Sequence, residues 1–170
     1  MLRSTLFRVW LTAAVLLAGC GQGSDRRDEA AGEIYAAAIR WLVDDARPAR
    51  PPTMQRVFVE AVDDAVIPLS VQIDVVNRLE ETLAVRFIDS RQEAIDTALP
   101  GDPVRDGGIL VGLGAIVDIE KPPASLYGDR YRDIRDVVAY SLLLDRGQDG
   151  WQVSGEPHRL PYVERPRGAR

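Results

Sequence analysis

The chain has 170 residues, 46% of them hydrophobic and 28% charged, with one Cys and one His. This length and apolar share suit one globular domain and exclude two full domains or wholesale disorder. The formal net charge of −5 argues against nucleic-acid binding, which needs a basic surface, and a lone Cys and a lone His exclude an intramolecular disulfide and a multi-His metal site.

The first twenty residues have the parts of a secretory signal peptide. Arg3 and Arg8 form a basic start, residues 9–18 are apolar apart from Thr12, and small residues precede Cys20. The apolar run is about ten residues long, whereas a membrane-spanning helix needs roughly 20. The segment is therefore expected to direct export rather than to span a membrane.

The residues Leu17-Ala18-Gly19-Cys20 resemble the lipobox of bacterial lipoproteins. The resemblance implies cleavage before Cys20, a diacylglycerol on its sulfur, and a location on the extracytoplasmic face of the cell membrane. Two acyl chains would give stable anchoring. An ordinary cleaved signal peptide, or a buried helix with a chance Cys, is the alternative. Cleavage would remove Arg3, Arg8 and no acid, so the formal charge would change from −5 to −7.

The composition divides the chain into four parts. Residues 1–19 are the predicted signal peptide, and residues 20–28 are the lipidated Cys and a polar, Gly-containing stretch expected to be a flexible tether. Residues 29–156 are predicted to form one α+β domain. Residues 157–170 are rich in Pro and Arg and are expected to fray.

The first half of the domain alternates between helical and strand patterns. A 3.6-residue apolar spacing predicts a helix over 29–46, and prolines follow it. Residues 55–62 predict a strand. Ser70 is a plausible N-cap for a second helix over 70–84, which a short strand at 85–88 follows.

The second half is dominated by strands. Residues 91–98 predict a short helix or turn, and the apolar run 108–117 predicts a strand buried on both faces. Residues 121–130 are expected to be a loop. A strand over 136–145, a turn at Asp149-Gly150 and a returning strand from Trp151 complete the pattern. The order predicts an α+β fold, with one mixed β-sheet, two main helices packed on it and a C-terminal antiparallel hairpin.

Three acids form the candidate metal site. Asp63 and Asp64 follow the first predicted strand, and Asp89 follows the second. If those strands are parallel neighbours, the acids cluster at the ligand-binding end of the sheet, where their oxygens would suit a hard cation. The alternative is a turn at Asp63-Asp64 and a helix cap at Asp89 or Ser90.

Other motifs favour structural roles over chemistry. Gly108, Gly112 and Gly114 lie inside an apolar run rather than in a strand-to-helix turn, so they predict close packing by a helix or aromatic ring and not phosphate binding. The sole imidazole, His158, falls in the predicted tail. The arginines around Tyr131 are expected to form a solvated strand edge; these are Arg130, Arg132 and Arg135. Trp41 and Trp151 are expected in the core.

A broader resemblance covers most of the domain. The first helix and several short segments resemble small secreted proteins of high-GC Gram-positive bacteria that lack an assigned activity; the segments are 85–89, 108–115, 125–127 and 149–155. The resemblance carries no information about catalysis. The sequence thus predicts a lipid-anchored, non-enzymatic binding or interaction module of the cell envelope, without a cofactor, whose partner is an envelope protein or a small molecule. The alternatives are a metal-dependent hydrolase using the Asp cluster, and an accessory subunit docking through a sheet edge.

Overall fold

The computed structural model describes residues 22–46 and 54–162, with side chains from Asp25 onward. Within these ranges, two α-helices, α1 (Gln22–Asp45) and α2 (Leu69–Leu79), accompany seven strands. The strands are β1 (Gln55–Ala61), β2 (Leu83–Phe87), β3 (Ile109–Leu113), β4 (Ala124–Asp133), β5 (Asp136–Gly147), β6 (Gly150–Val153) and β7 (His158–Leu160).

The strands form one mixed sheet in the order β2-β1-β3-β4-β5-β6. β1 lies between β2 and β3 and is parallel to both, whereas β3, β4, β5 and β6 are successively antiparallel. β7 pairs with residues 139–141 of β5 and β6 pairs with residues 144–147, so both short strands lie along the same edge of β5. The predicted α+β fold and C-terminal hairpin are confirmed.

The central strands are buried because they separate two cores. On one face, Val57 and Val59 of β1 and Val111 of β3 join Ile34 and Leu42 of α1 in the larger core. The alternate residues on the opposite face belong to a smaller core with the segment that follows β2; it contains Phe58, Leu110, Tyr131, Ile88, Ala94, Ile95 and Val104. All five residues of β3 are buried, as the apolar run predicts.

The two helices run in the same direction. The Ser70 hydroxyl donates to Asp28 Oδ2 at 2.7 Å near both N-termini, and Arg78 pairs with Glu33 at 3.5 Å further along. Both helices start at the edge where the parallel strands β1, β2 and β3 finish, which we call the carboxyl end of the sheet. The residues that follow β1 and β3, and the turn between β5 and β6, lie at this end as well.

Helix α1 begins earlier than the sequence pattern indicates. Residues 22–28 are helical, so the prediction of a flexible tether is wrong for them. The negative charge of Asp25 in the first turn stabilises the positive end of the helix dipole. The hydrogen bond between Ser70 and Asp28 attaches the following turn to α2. A polar stretch without an apolar face becomes helical here because it extends a helix that is already packed.

Helix α2 is shorter than predicted. It ends at Leu79, because a turn in which the Thr82 N–H donates to the Leu79 carbonyl leads directly into β2. Leu83, expected on the helix, starts that strand. Pro68 occupies the N-cap position, so the prediction of a Ser70 cap is also wrong.

Two segments expected to be irregular are strands. Residues 124–130 belong to β4, where Ala124 and Leu126 alternate into the larger core. Of the residues that suggested a loop, Pro122 and Pro123 precede the strand, whereas Gly128 lies within it. Residues 158–160 form β7 against β5, so the start of the tail at 157 is wrong for them. No helix in the described ranges is both long and apolar enough to cross a membrane.

Candidate functional site

The three acids of the predicted metal site lie at the carboxyl end of the sheet. β1 and β2 are parallel neighbours, so Asp63, Asp64 and Asp89 all follow strands at the carboxyl end of the sheet. Asp63 and Asp64 take positive φ values of 53° and 59° in a turn. The backbone N–H groups of Asp89 and Ser90 donate to Glu93 at 3.1 and 3.3 Å, which matches the alternative of a turn and a cap.

Among residues 22–46 and 54–162, no three His, Cys, Asp or Glu side chains come close enough together to hold a metal ion. The geometry of the described residues therefore lends no support to the metal-dependent hydrolase. Cys20, the predicted lipidation site, lies outside these ranges, and its acylation stays a prediction.

A cavity of about 360 Å³ lies at the carboxyl end of the sheet. Three segments distant in the sequence form its walls: the first turns of α1, the connection from β3 to β4, and the β5–β6 hairpin. The lining residues are Arg26, Arg27, Ala30, Ile119, Glu120, Pro122, Arg146 and Trp151. We call this cavity the arginine–tryptophan cleft.

The cleft is electropositive although the chain is acidic. Within the described part of the chain, Arg26, Arg27 and Arg146 form no ion pair and no side-chain hydrogen bond, in contrast with Arg78 or Arg130. Glu120 is the one carboxylate among the lining residues. Three guanidinium groups against one carboxylate give the cleft an excess of positive charge, which is suited to an anion.

Trp151 is the wall between this cleft and a second cavity of about 230 Å³. It is only 8% exposed and belongs to the larger core, as predicted. Its indole N–H, however, donates to no acceptor among the described residues. A buried donor without a partner costs about 1–3 kcal/mol, so such groups call for an explanation.

The second cavity has a different character. Its charged lining comprises two acids and two arginines, namely Glu33, Asp149, Arg40 and Arg78. Arg78 is already engaged, because it pairs with Glu33 and with Asp74, where the Nε–Oδ2 distance is 2.7 Å. The charges of this cavity are therefore largely balanced, and the arginine–tryptophan cleft is the stronger candidate for an anion site.

A buried acidic pair occupies the sheet face opposite the helices. Glu60 on β1 and Asp129 on β4 both align with Gly112 on β3, and they are 8% and 2% exposed. The Tyr127 hydroxyl donates to Asp129 Oδ2 at 2.8 Å. Neither acid lines the two cavities beside Trp151. The sequence reasoning missed both, although a charged residue within the apolar pattern of β1 is a visible signal.

Of the three glycines predicted to allow close packing, Gly114 lies against Tyr127, whereas Gly108 lies against backbone and Val104. A Cβ atom at Gly114 would lie 3.1 Å from the Cβ of Tyr127, and the Tyr35 hydroxyl donates to the Gly114 carbonyl at 3.2 Å. Burial raises the pKa of Tyr35, which keeps this hydroxyl a donor. The contact ties α1 to the end of β3 and helps to shape the carboxyl end of the sheet.

The arginines around Tyr131 do not form a solvated edge, because β4 lies inside the sheet. Arg130 is buried and pairs with Asp45 at 3.2 Å and with Asp136 at 2.6 Å. Arg132 pairs with Asp136 at 3.5 Å, and only Arg135 is exposed as expected. His158 lies exposed on β7 rather than in a loose tail.

Comparisons with protein-family models, with curated proteins and with solved structures find no significant match to this chain. The candidate site therefore rests on its own geometry. Sequence reasoning placed Arg26 and Arg27 in a tether and Trp151 in a hairpin, and no local pattern joins them. The available signal was the unusual combination of a polar pre-helical stretch with two arginines and a tryptophan directly after a turn.

Proposed function

We propose that this protein is a lipid-anchored, extracytoplasmic binding module of the cell envelope. It is held at the membrane through Cys20 and binds its ligand at the carboxyl end of the sheet. Binding is favoured over nucleophilic catalysis because the two cavities beside Trp151 are lined by Arg, acidic and apolar residues, without a Ser, Cys or His among the described ones.

One observation carries the proposal: α1 begins at the carboxyl end of the sheet, two residues after Cys20 in the sequence. A helix rises about 1.5 Å per residue, so Arg26 lies only about 6 Å along the axis from Gln22. A lipid on Cys20 would hold the arginine–tryptophan cleft next to the membrane surface. The carboxyl ends of parallel strands are also where open α/β sheets generally bind ligands.

Exposed apolar side chains at the same end fit this orientation. Val66 is 84% exposed and Leu69 is 70% exposed, and the neighbouring Ser70 contacts Asp28 of α1. Large apolar residues at such exposure suit a surface that faces lipid headgroups. The overall negative charge would repel an anionic bilayer, so the anchor and these local features are needed to hold the domain there.

The anchor is tested with Cys20→Ala in the full chain, followed by cell fractionation. The native protein is expected in the membrane fraction, released by detergent and not by high salt. The variant is expected in the soluble extracytoplasmic fraction, because two acyl chains provide most of the membrane affinity.

A second variant, Cys20→Ala with Ser24→Cys, serves as the matched control, because it keeps one thiol but moves it away from the lipobox. It is expected to be released as well. Membrane retention of Cys20→Ala equal to that of the native chain would contradict the proposal.

A further inference from the structure

We propose that the arginine–tryptophan cleft is a binding site for a phosphate-bearing amphipathic ligand, such as the glycerophosphate group of an anionic phospholipid or a soluble phosphate ester of the same chemistry. The proposal rests on the binding function above, but it does not depend on the lipid anchor. Two features of the cleft carry it: its three guanidinium groups, which have no carboxylate partner among the described residues, and its apolar wall.

Three guanidinium groups supply the positive charge of the cleft. Arg26 and Arg27 project from the first turns of α1, and Arg146 from the end of β5, so positive charge faces the cleft from two separate elements. Guanidinium groups bind phosphate through paired N–H···O bonds, and they are desolvated more readily than ammonium groups. These three arginines have no carboxylate partner among the described residues, and what sets them apart from other exposed arginines such as Arg105 is that they line one cavity.

Trp151 forms part of the wall of the cleft, and its emission therefore reports on what the cleft holds. The side chain is more than nine-tenths buried and lines the cleft, yet its donor has no acceptor in the described part of the protein. The nitrogen itself is shielded from solvent, so the indole meets the cleft through its apolar ring atoms.

The apolar part of the lining defines the rest of the ligand. Ala30, Ile119, Pro122 and the ring of Trp151 share the cleft with the arginines. A bare phosphate ion would leave this surface unused, whereas a ligand with a short apolar portion beside its phosphate would cover it. The volume of about 360 Å³ is within the range of small-molecule sites.

The test uses the full protein purified in a nonionic detergent and the intrinsic fluorescence of Trp151. Trp41→Phe serves as the background, because Trp41 is the other tryptophan after the predicted signal peptide. One titration uses phosphatidylglycerol in mixed micelles, with phosphatidylcholine as the uncharged comparison. The other uses soluble glycerol phosphate.

A saturable change in Trp151 emission with phosphatidylglycerol, and not with phosphatidylcholine, is expected. Saturation by phosphatidylglycerol alone identifies a lipid headgroup as the source, and saturation by glycerol phosphate as well identifies the free ester; both outcomes support the site. Arg27→Gln and Arg146→Gln are each expected to raise the Kd about tenfold or more. Arg105→Gln is the control, because Arg105 is exposed, unpaired among the described residues and remote from the cleft.

The absence of a saturable change with either ligand would overturn the proposal, as would an unchanged Kd in both cleft variants. The same titration on the Cys20→Ala variant separates the two proposals. If Cys20→Ala leaves the membrane and keeps the native Kd, both the lipid anchor and the phosphate site are supported. If Cys20→Ala leaves the membrane but the native protein binds neither ligand, only the phosphate site is refuted.

Discussion

At the scale of single residues, Arg130 joins three elements of the fold. Its buried guanidinium on β4 contacts Asp45 at the end of α1 and Asp136 at the start of β5. The Tyr140 hydroxyl also donates to Asp45 at 3.0 Å, so the carboxylate is held from two sides. An arginine that the sequence pattern assigns to a solvent-facing edge is thus a buried connection between helix and sheet.

We expect Arg130→Met to lower the free energy of unfolding by about 1–3 kcal/mol, because it removes two charge-assisted hydrogen bonds while keeping the volume of the side chain. The loss stays moderate since both carboxylates are about one-third exposed and keep contact with water. Denaturant unfolding of the variant measures the change. Arg135→Met, at an exposed position on the same hairpin, should stay within about 0.5 kcal/mol, and equal effects of the two substitutions would contradict the assigned role.

At the scale of elements, the parallel contact between α1 and α2 depends on Gly32. A Cβ atom at this position would lie 1.9 Å from Oδ2 of Asp74, whose carboxylate accepts a hydrogen bond from Arg78 Nε. Gly costs a helix about 1 kcal/mol relative to Ala, so its place in the middle of α1 has a packing reason. The glycine allows the middle of α1 to lie close to α2.

We predict that Gly32→Ala depends on Asp74 in a double-mutant cycle. In the Asp74→Ala background the substitution should stabilise the protein by up to about 1 kcal/mol, because the clash with the carboxylate is gone, the Cβ of residue 74 stays 3.2 Å away and helix propensity favours Ala. In the native background it displaces the Asp74 carboxylate, so it should be less favourable by about 1–2 kcal/mol. Chemical denaturation of the four proteins gives both values, and an equal effect in the two backgrounds would show that Gly32 is not a packing requirement.

The elements that the sequence predicted well carry their signal within a few residues. The Asp149-Gly150 turn sets the β5–β6 hairpin, and Gly150 has a φ of 106° that favours glycine. The apolar run around β3 could only be a buried strand or a buried helix. By contrast, β4 mixes Arg, Asp and Tyr with small residues, and its place inside the sheet depends on pairing with β3 and β5, which no local pattern reveals.

At the scale of the whole molecule, the candidate site could not be predicted because its parts are brought together only by the topology. The parallel arrangement of β1 to β3 and the shared direction of α1 and α2 collect the cleft-forming segments at one end of the sheet. The sequence correctly placed Asp63, Asp64 and Asp89 at that end. It did not show that a cleft with positive charge lies there too, since Arg26 and Arg146 are 120 positions apart.

In the proposed arrangement, a lipid on Cys20 holds the membrane next to the end of the domain that carries the binding cleft. The chemical state of Cys20 tests it most directly, through mass spectrometry of tryptic peptides from the membrane-bound protein. The arrangement predicts a peptide of residues 20–26 that begins at Cys20 and carries the mass of a diacylglyceryl group. Recovery of residues 9–26 as one peptide with an unmodified Cys20 would contradict it.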